Sequence, residues 1–214
     1  MATTSIRAAG PSDIDLVADT ILAAQRGQQP RGYFDIALDL DAAQCLAFVR
    51  RLTTADVRSW WHLSHFWVAE RDGVAAAALC ALPVAGSMAN ARQAVQDTMA
   101  AAGFTDQMQA AVAQRGAYVR QCWMDSDESA WMIEHVATRP SHRGLGLAAR
   151  LLDHALAQGR DRGFPRAQIT FYIGNDAAER SYARAGFSFA EEKRHPDFAA
   201  VTGAAGFRRF AMAL

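Results

Sequence analysis

Cysteine is scarce in this sequence, and its spacing excludes two classes of small protein. The 214 residues contain 3 cysteines, Cys45, Cys80 and Cys122, scattered along the chain. They form neither the close pairs typical of zinc sites nor the even-numbered framework of a disulfide-rich domain. We therefore expect reduced, buried thiols and no metal site.

Excess charge of one sign and long apolar runs are also missing. Lys and Arg number 22 and Asp and Glu number 22, so the formal net charge is zero. Modules that bind nucleic acid or a membrane surface normally carry a basic excess, so neither partner is expected. The longest apolar run, over 74–84, falls far short of the roughly 20 residues that a membrane helix needs. The first residues lack a basic segment followed by an apolar one, and we expect a cytoplasmic protein.

The residues that are present predict one α/β domain. Hydrophobic residues make up 51% and charged residues 21% of the chain, which is ordinary globular composition. Apolar spacing and turn residues predict strands over 5–9, 66–70, 74–82, 131–138, 168–173, 188–190 and 207–214. They predict helices from Pro11 with Ser12 as N-cap, and over 41–52, 88–101, 106–122, 146–158 and 177–184. This order favours a mixed sheet with helices on its faces.

A glycine-rich turn after the strand over 131–138 carries the clearest chemical signal. It reads Arg143-Gly144-Leu145-Gly146-Leu147-Ala148, and a helix starts within it. Small residues let the main chain approach a ligand, and free N–H groups at the positive end of a helix dipole suit a phosphate. Arg143 adds a formal positive charge beside them.

Two other interpretations of this turn are open. Gly144-x-Gly146-x-x-Ala149 formally fits the dinucleotide-binding fingerprint, which is a weak signal alone. Five residues separate these glycines from the strand, and no acidic residue ends a strand about 20 positions later, so the match is poor. The turn could also be purely structural.

A better match combines two motifs. Arg143, Gly146 and Ala148 fill the pattern (Arg/Gln)-x-x-Gly-x-(Gly/Ala), preceded by Val136-Ala-Thr-Arg-Pro140. Downstream lies Asn175-x-x-Ala178-x-x-x-Tyr182-x-x-x-Gly186-Phe187. With both motifs the chain resembles the GNAT superfamily of N-acetyltransferases, specifically over 133–187.

The resemblance implies an architecture. We expect an α/β fold with a mixed, mostly antiparallel central sheet, splayed between its fourth and fifth strands, and helices on both faces. Residues 1–214 would form a single domain carrying a helical insert at about 86–128. The insert has an apolar face and could pack on the domain, cover the substrate or form a dimer contact. Members of this family often dimerise, so a homodimer is one arrangement that the resemblance allows.

The resemblance also implies that acetyl-coenzyme A is the co-substrate. Main-chain groups of Val136, Ala137 and Thr138 would bind the pantetheine arm and thioester, and one N–H would stabilise the oxyanion. Asn175 would contact coenzyme A or hold the splayed strand, and it could equally cap a helix. The pyrophosphate would lie on Arg143, Gly144, Leu145, Gly146, Leu147, Ala148 and Ala149.

Two residues are candidates for proton transfer. Tyr182 matches the tyrosine that protonates the departing thiolate in the family, although it could be a core aromatic. Glu134 occupies a position where several members carry a glutamate that acts as base through water, although it could face solvent. Some relatives place the base five residues before the motif asparagine, where this chain has Thr170, which cannot serve. His135 is expected on the face opposite Glu134, as a packed strand histidine, with the role of base as the less favoured alternative.

The expected function is therefore direct transfer of an acetyl group from acetyl-coenzyme A to a primary amine. The alternative is a non-catalytic, acyl-coenzyme A-binding regulatory domain. The acceptor, a small molecule or a peptide amine, is not written in the sequence. Segments that could line its pocket are residues 31–34, 60–67 and 195–198, with the acidic residues Asp125, Asp127 and Glu128.

Overall fold

A computed structural model of the chain describes residues 3–214, which fold around one seven-stranded sheet. Its strand order is β1-β2-β3-β4-β5-β7-β6. The strands are β1 (Thr4–Ala8), β2 (Phe66–Arg71), β3 (Val74–Pro83), β4 (Trp131–Thr138), β5 (Arg166–Tyr172), β6 (Ser188–Arg194) and β7 (Gly206–Ala213). The helices are α1 (Ile14–Arg26), α2 (Tyr33–Leu38), α3 (Ala42–Leu52), α4 (Ser87–Ala101), α5 (Asp106–Arg115), α6 (Leu147–Asp161), α7 (Asp176–Arg184) and α8 (Pro196–Thr202).

The sheet is splayed between β4 and β5, as expected. These strands form the parallel pair, and they pair only from Trp131 with Ala167 to Ile133 with Ile169. All other neighbouring strands are antiparallel. Beyond Ile133 the two strands diverge, so main-chain groups of β4 are left without a partner on that side.

Helices cover both faces because the residues of β3 alternate between two apolar cores. Ala78, Cys80 and Leu82 pack in the core beneath α1 and α3. The residues between them pack in a second core beneath α6. The hydrophobic pattern of a strand buried on both faces therefore explains the two-sided architecture.

A bulge interrupts the pairing of β3 with β4. Ala78 pairs with Ala137 and Cys80 with Glu134, which leaves two residues of β4 opposite one residue of β3. His135 takes a positive φ of 47° at this point. Such a bulge breaks the strict alternation of side chains and bends the strand.

The predicted elements are largely confirmed, with differences at some ends. Ser12 is not an N-cap, because a short 3₁₀ turn over Pro11–Asp13 precedes α1, and the Asp13 carboxylate accepts the Gly10 N–H at 2.8 Å. The helix expected over 106–122 becomes 3₁₀ from Gly116, where any Cβ would lie 3.1 Å from the Tyr33 ring. Helices α2 and α8 were not expected.

The segment over 86–128, which we expect to be an insert, packs on the rest of the structure. Met99 of α4 and Val112 of α5 are buried in the core beneath α1 and α3. The Arg115 guanidinium donates hydrogen bonds to the carbonyl oxygens of Ala37 at 2.9 Å and Leu38 at 3.0 Å. These carbonyls end α2, so the side chain ties the insert to the main body and satisfies an otherwise open helix terminus.

The three cysteines are buried and unpaired, as expected. Of the helices described over 3–214, none has the length and apolar character required to traverse a bilayer. Nor do the residues in that range place three or more His, Cys, Asp or Glu side chains together in a manner suited to a metal ion.

Candidate active site

A cavity of about 1290 Å³ opens where β4 and β5 diverge. Its walls come from these two strands, the end of α1, helix α7 and the insert. The expected site residues that line it are Glu134, Val136, Ala137, Thr138, Arg143, Ala148, Asn175 and Tyr182. The structure thus brings both candidate proton-transfer residues to one cavity.

A second cavity, of about 480 Å³, lies against the glycine-rich turn. Its lining includes Arg143, Gly144, Gly146, Leu147, Ala148 and Ala149. Thr138, Arg143 and Ala148 also line the larger cavity, so the two spaces adjoin. Leu145 lines neither cavity, and the residue is 45% exposed.

The turn has the geometry of an anion site. Gly144 and Gly146 take φ values of 79° and 75°, a region that disfavours residues with a Cβ. Helix α6 begins directly after Gly146, and no acidic residue lies in its first turn. Among the described residues, the N–H groups of Gly144, Leu145 and Gly146 donate no hydrogen bond. These donors and the helix dipole can therefore bind a phosphate.

Glu134 lies in the larger cavity on the α1 side of the sheet. It is opposite Cys80, which belongs to the core beneath α1. The surrounding protein disfavours its charged form, and burial raises the pKa of Glu134 to about 8, partly opposed by the charge of Arg209. The side chain is half-buried and faces the cavity, and burial favours its protonated form.

His135 does not lie on the opposite face, contrary to expectation. Its ring stacks on Phe66, with centroids 6.3 Å apart and planes 6° apart, and Phe66 pairs with the same Cys80 that faces Glu134. The bulge explains the difference, because it places successive side chains of β4 on one side. Burial lowers the pKa of His135 to about 3, so the imidazole is neutral, and its Nε2 has no hydrogen-bond partner.

Tyr182 reaches the cavity from α7. Its ring packs edge-on against Phe171 and Phe187, at centroid distances of 5.3 Å and 6.4 Å. Burial, and secondarily the charge of Glu134, raises the pKa of Tyr182, so the phenol stays protonated. The residue is a core aromatic and a potential proton donor at once.

Asn175 caps α7. Its Oδ1 accepts the N–H of Ala178 at 3.2 Å, and the side chain lines the cavity. The capping role anticipated from the sequence is confirmed, and contact with a ligand in the cavity is compatible with it.

Arg209 was missed by the sequence analysis. It is 8% exposed in β7, lines the cavity, and donates to Glu191 at 2.8 Å and to the Met124 carbonyl at 3.3 Å. The sequence signal for Arg209 was the pair Arg208-Arg209 in an otherwise apolar strand. Because successive side chains of a strand point to opposite faces of the sheet, one of these two arginines must point inward.

The expected substrate-side segments are only partly brought to the cavity. Tyr33, Trp60, Trp61, Asp125 and Glu128 line it. The other candidates have structural contacts elsewhere. Trp67 packs on His154, Asp127 pairs with Arg166, His195 caps α8, and Phe198 is buried against Tyr118 and Phe207.

Comparison with known proteins gives one family and many structures of the same fold. The model of the acetyltransferase (GNAT) family matches residues 36–187. An N-acetyltransferase from Staphylococcus aureus Mu50 superposes with a TM-score of 0.70 at 17% identity, over 97% of this chain and 100% of that one. The polyamine N-acetyltransferase of Drosophila melanogaster, which forms N-acetylagmatine, has a TM-score of 0.57 at 14% identity, over 99% and 100% of the two chains. A sequence search of curated proteins found no match.

Proposed function

Since the chain belongs to the GNAT family of acetyltransferases, we propose that it moves an acetyl group from acetyl-coenzyme A directly to a primary amine. The observation that carries this proposal is the single cavity shared by Glu134 and Tyr182, which adjoins the space at the glycine-rich turn. The adjoining cavities suit one long substrate with a phosphate group at one end and a reacting group at the other.

The turn supports binding of coenzyme A. Its unpaired N–H groups and Arg143 offer donors and positive charge for a pyrophosphate. From there the cavity continues along residues 136–138 of β4, on the side where β5 has diverged. Main-chain groups freed by the splay are the expected contacts for the pantetheine arm, with one N–H available to the developing oxyanion.

Glu134 supports proton removal from the amine. An alkyl ammonium has a pKa around 10.4 and must lose a proton before it attacks a thioester. A carboxyl whose pKa is raised to about 8 is a stronger base when ionised than an ordinary glutamate. An ammonium bound nearby favours the ionised form, because opposite charges lower the pKa of a carboxyl.

Tyr182 supports protonation of the leaving group. Because its pKa is raised, the phenol retains a proton that it can donate to the departing thiolate. Acid and base thus enter the cavity from different elements, Tyr182 from α7 and Glu134 from β4.

Calorimetric titration with acetyl-coenzyme A tests this function, beside Arg143→Ala and Gly146→Asp. We expect the native chain to bind, Arg143→Ala to bind at least several-fold more weakly, and Gly146→Asp not to bind. Gly146→Asp adds both a carboxylate and a side chain at a φ of 75°. Its folding is checked by circular dichroism.

An acceptor screen, read as release of free coenzyme A thiol, then separates catalysis from mere binding. Thiol release that depends on an added amine supports the enzyme. Binding without release for any amine favours the regulatory domain. A folded native chain that does not bind acetyl-coenzyme A contradicts both functions.

A further inference from the structure

Glu134 and Arg209 lie in one row across the sheet, on either side of the splay. The last paired row across β4, β5 and β7 lies in the core beneath α6 and consists of Ile133, Ile169 and Phe210. The neighbouring positions on the three strands are Glu134, Thr170 and Arg209. Because successive side chains of a strand point to opposite faces, this next row points toward the α1 side. All three of its residues line the large cavity.

The guanidinium of Arg209 is held from several sides. It donates to the Glu191 carboxylate on β6 at 2.8 Å and to the main-chain oxygens of Met124 and Asp125. Its Nε lies 3.5 Å from the Thr170 hydroxyl oxygen in the same row. A guanidinium keeps its proton in proteins, and these acceptors fix its planar fork. Arg209 is therefore a permanent positive charge at a fixed place in the cavity.

The other charged side chains that line the cavity with Glu134 are exposed, so solvent screens them. They are Arg92, Arg120, Asp125, Glu128 and Arg143. The side chain of Glu191, which pairs with Arg209, is 43% exposed, whereas that of Arg209 is 10% exposed. Buried charges are screened much less than exposed ones. Arg209 is therefore the charge that acts most strongly on the Glu134 carboxyl.

The titratable groups packed around Glu134 are neutral at pH 7. Burial raises the pKa of Cys80 on β3 and of Tyr182 on α7, so both keep their protons. Burial lowers the pKa of the adjacent His135 to about 3. Of the described residues, those that α1 adds to the lining carry no ionisable side chain. An ionised Glu134 thus depends on Arg209 for a buried positive charge.

We propose that Arg209 is a positioning residue for Glu134, whose fixed charge favours the carboxylate that takes the proton from the amine. This inference rests on the proposed acetyl transfer with Glu134 as base. Arg209 is ion-paired with Glu191 and not with Glu134 among the described residues. A guanidinium in contact would lower the pKa of Glu134 far enough to make it a weak base. A charge that acts from the same row lowers the pKa only part of the way and leaves a base suited to neutral pH.

Carbon-13 NMR of the glutamate-labelled chain tests this inference without an acceptor. The Glu134 signal is identified by its loss in Glu134→Gln, and its titration midpoint is compared among variants. Arg209→Met keeps an extended side chain without the charge and should raise the midpoint by roughly one pH unit, whereas Arg209→Lys should restore most of the difference. Glu191→Gln removes the counter-charge of Arg209 and should lower the midpoint. This opposite shift keeps the proposal testable if Arg209→Met fails to fold.

Arg208, the next residue on β7, offers a matched control. Its guanidinium pairs with Glu179 and Glu192, each at 2.7 Å, and it is not among the described residues that line the cavity. Arg208→Met removes the same charge from the same strand and should leave the Glu134 midpoint unchanged. A native midpoint in folded Arg209→Met, or an equal shift in Arg208→Met, would overturn the proposal. So would a midpoint that does not fall in Glu191→Gln.

Activity then connects the charge to proton transfer. For the amine that gives the fastest thiol release in the acceptor screen, the rise of kcat/KM with pH should move with the NMR midpoint. Arg209→Met should therefore lose about tenfold in kcat/KM at pH 7 and recover at high pH, with unchanged affinity for acetyl-coenzyme A. An equal loss at every pH would assign Arg209 a structural role only and contradict the proposal.

The outcomes separate this inference from the proposed function. A folded native chain that does not bind acetyl-coenzyme A counts against the function itself. Normal binding and transfer, with a pH profile that Glu134→Gln changes and Arg209→Met does not, counts against the role of Arg209 alone.

Discussion

Replacing Glu134 with glutamine should remove activity and make the protein more stable, by an amount that grows with pH. Glutamine keeps the size and polarity of a protonated glutamate but cannot ionise. The pKa of Glu134 is about 8 in the folded chain, against 4.5 for an ordinary glutamate. Between these two pKa values the folded state therefore holds a proton that the unfolded state releases. This difference sets the direction and the size of the pH effect on the free energy of unfolding.

The direction in which native stability changes with pH follows from the raised pKa of Glu134. Below about pH 4.5 both states are protonated and ionisation contributes nothing. Between 4.5 and 8 the unfolded chain gains stability from ionisation while the folded chain does not, so native stability falls as pH rises. At about 1.4 kcal/mol per pH unit the loss is roughly 1 kcal/mol at pH 5 and roughly 3 kcal/mol at pH 7, and it levels off above pH 8.

Urea unfolding of the native chain and Glu134→Gln at pH 5, 7 and 8 measures this directly. We expect the stability gained by the variant to increase by roughly 3.5 kcal/mol between pH 5 and pH 8. In the same buffers, kcat/KM of the native chain should rise with pH toward a plateau above about 8. The Glu134→Gln variant should not show this rise. An equal stability gain at all three pH values would mean that Glu134 titrates as in the unfolded chain, and the base assignment would lose its physical ground.

Two further changes probe residues with separate roles. Tyr182→Phe should lower kcat by roughly 10²-fold or more, the usual contribution of a positioned acid, while calorimetry shows unchanged affinity for acetyl-coenzyme A; unchanged turnover would leave Tyr182 as a core aromatic only. Asn175→Ala should lower the free energy of unfolding by about 1 kcal/mol because α7 loses its cap, whereas Asn175→Asp, which can still accept the Ala178 N–H, should retain most of it. Equal destabilisation by both Asn175 variants would show that the cap is not the source of the effect.

Local patterns predicted the elements that flank the glycine-rich turn. Helix α6 begins at Leu147, within one residue of its predicted start, because Gly146 both ends the turn and provides the positive φ that precedes the helix. Strand β4 has its predicted bounds because its apolar residues are bounded by turn signals at both ends. Such features depend on neighbours in the chain, which the sequence displays directly.

The surroundings of Glu134 could not be predicted in the same way. They depend on the register of β3 with β4, where the bulge turns His135 to the α1 side. The inward direction of Arg209 likewise depends on the pairing of β7 with β5. The insert's apolar face was visible in the sequence, but what it faces follows from its packing against α1 and α3. The directions of His135 and Arg209, and the surface that the insert contacts, are each determined by contacts between segments far apart in the sequence.

The arrangement around Glu134 works against folding, which supports a role beyond packing. A carboxyl with its pKa raised to about 8 lowers native stability at neutral pH, and the neighbouring His135 combines a φ of 47° with an unpaired buried Nε2. Each of these features has an energetic cost of the order of a kcal/mol or more. Strained and desolvated groups that gather in one cavity are typical of sites where reactivity, rather than stability, determines the residues.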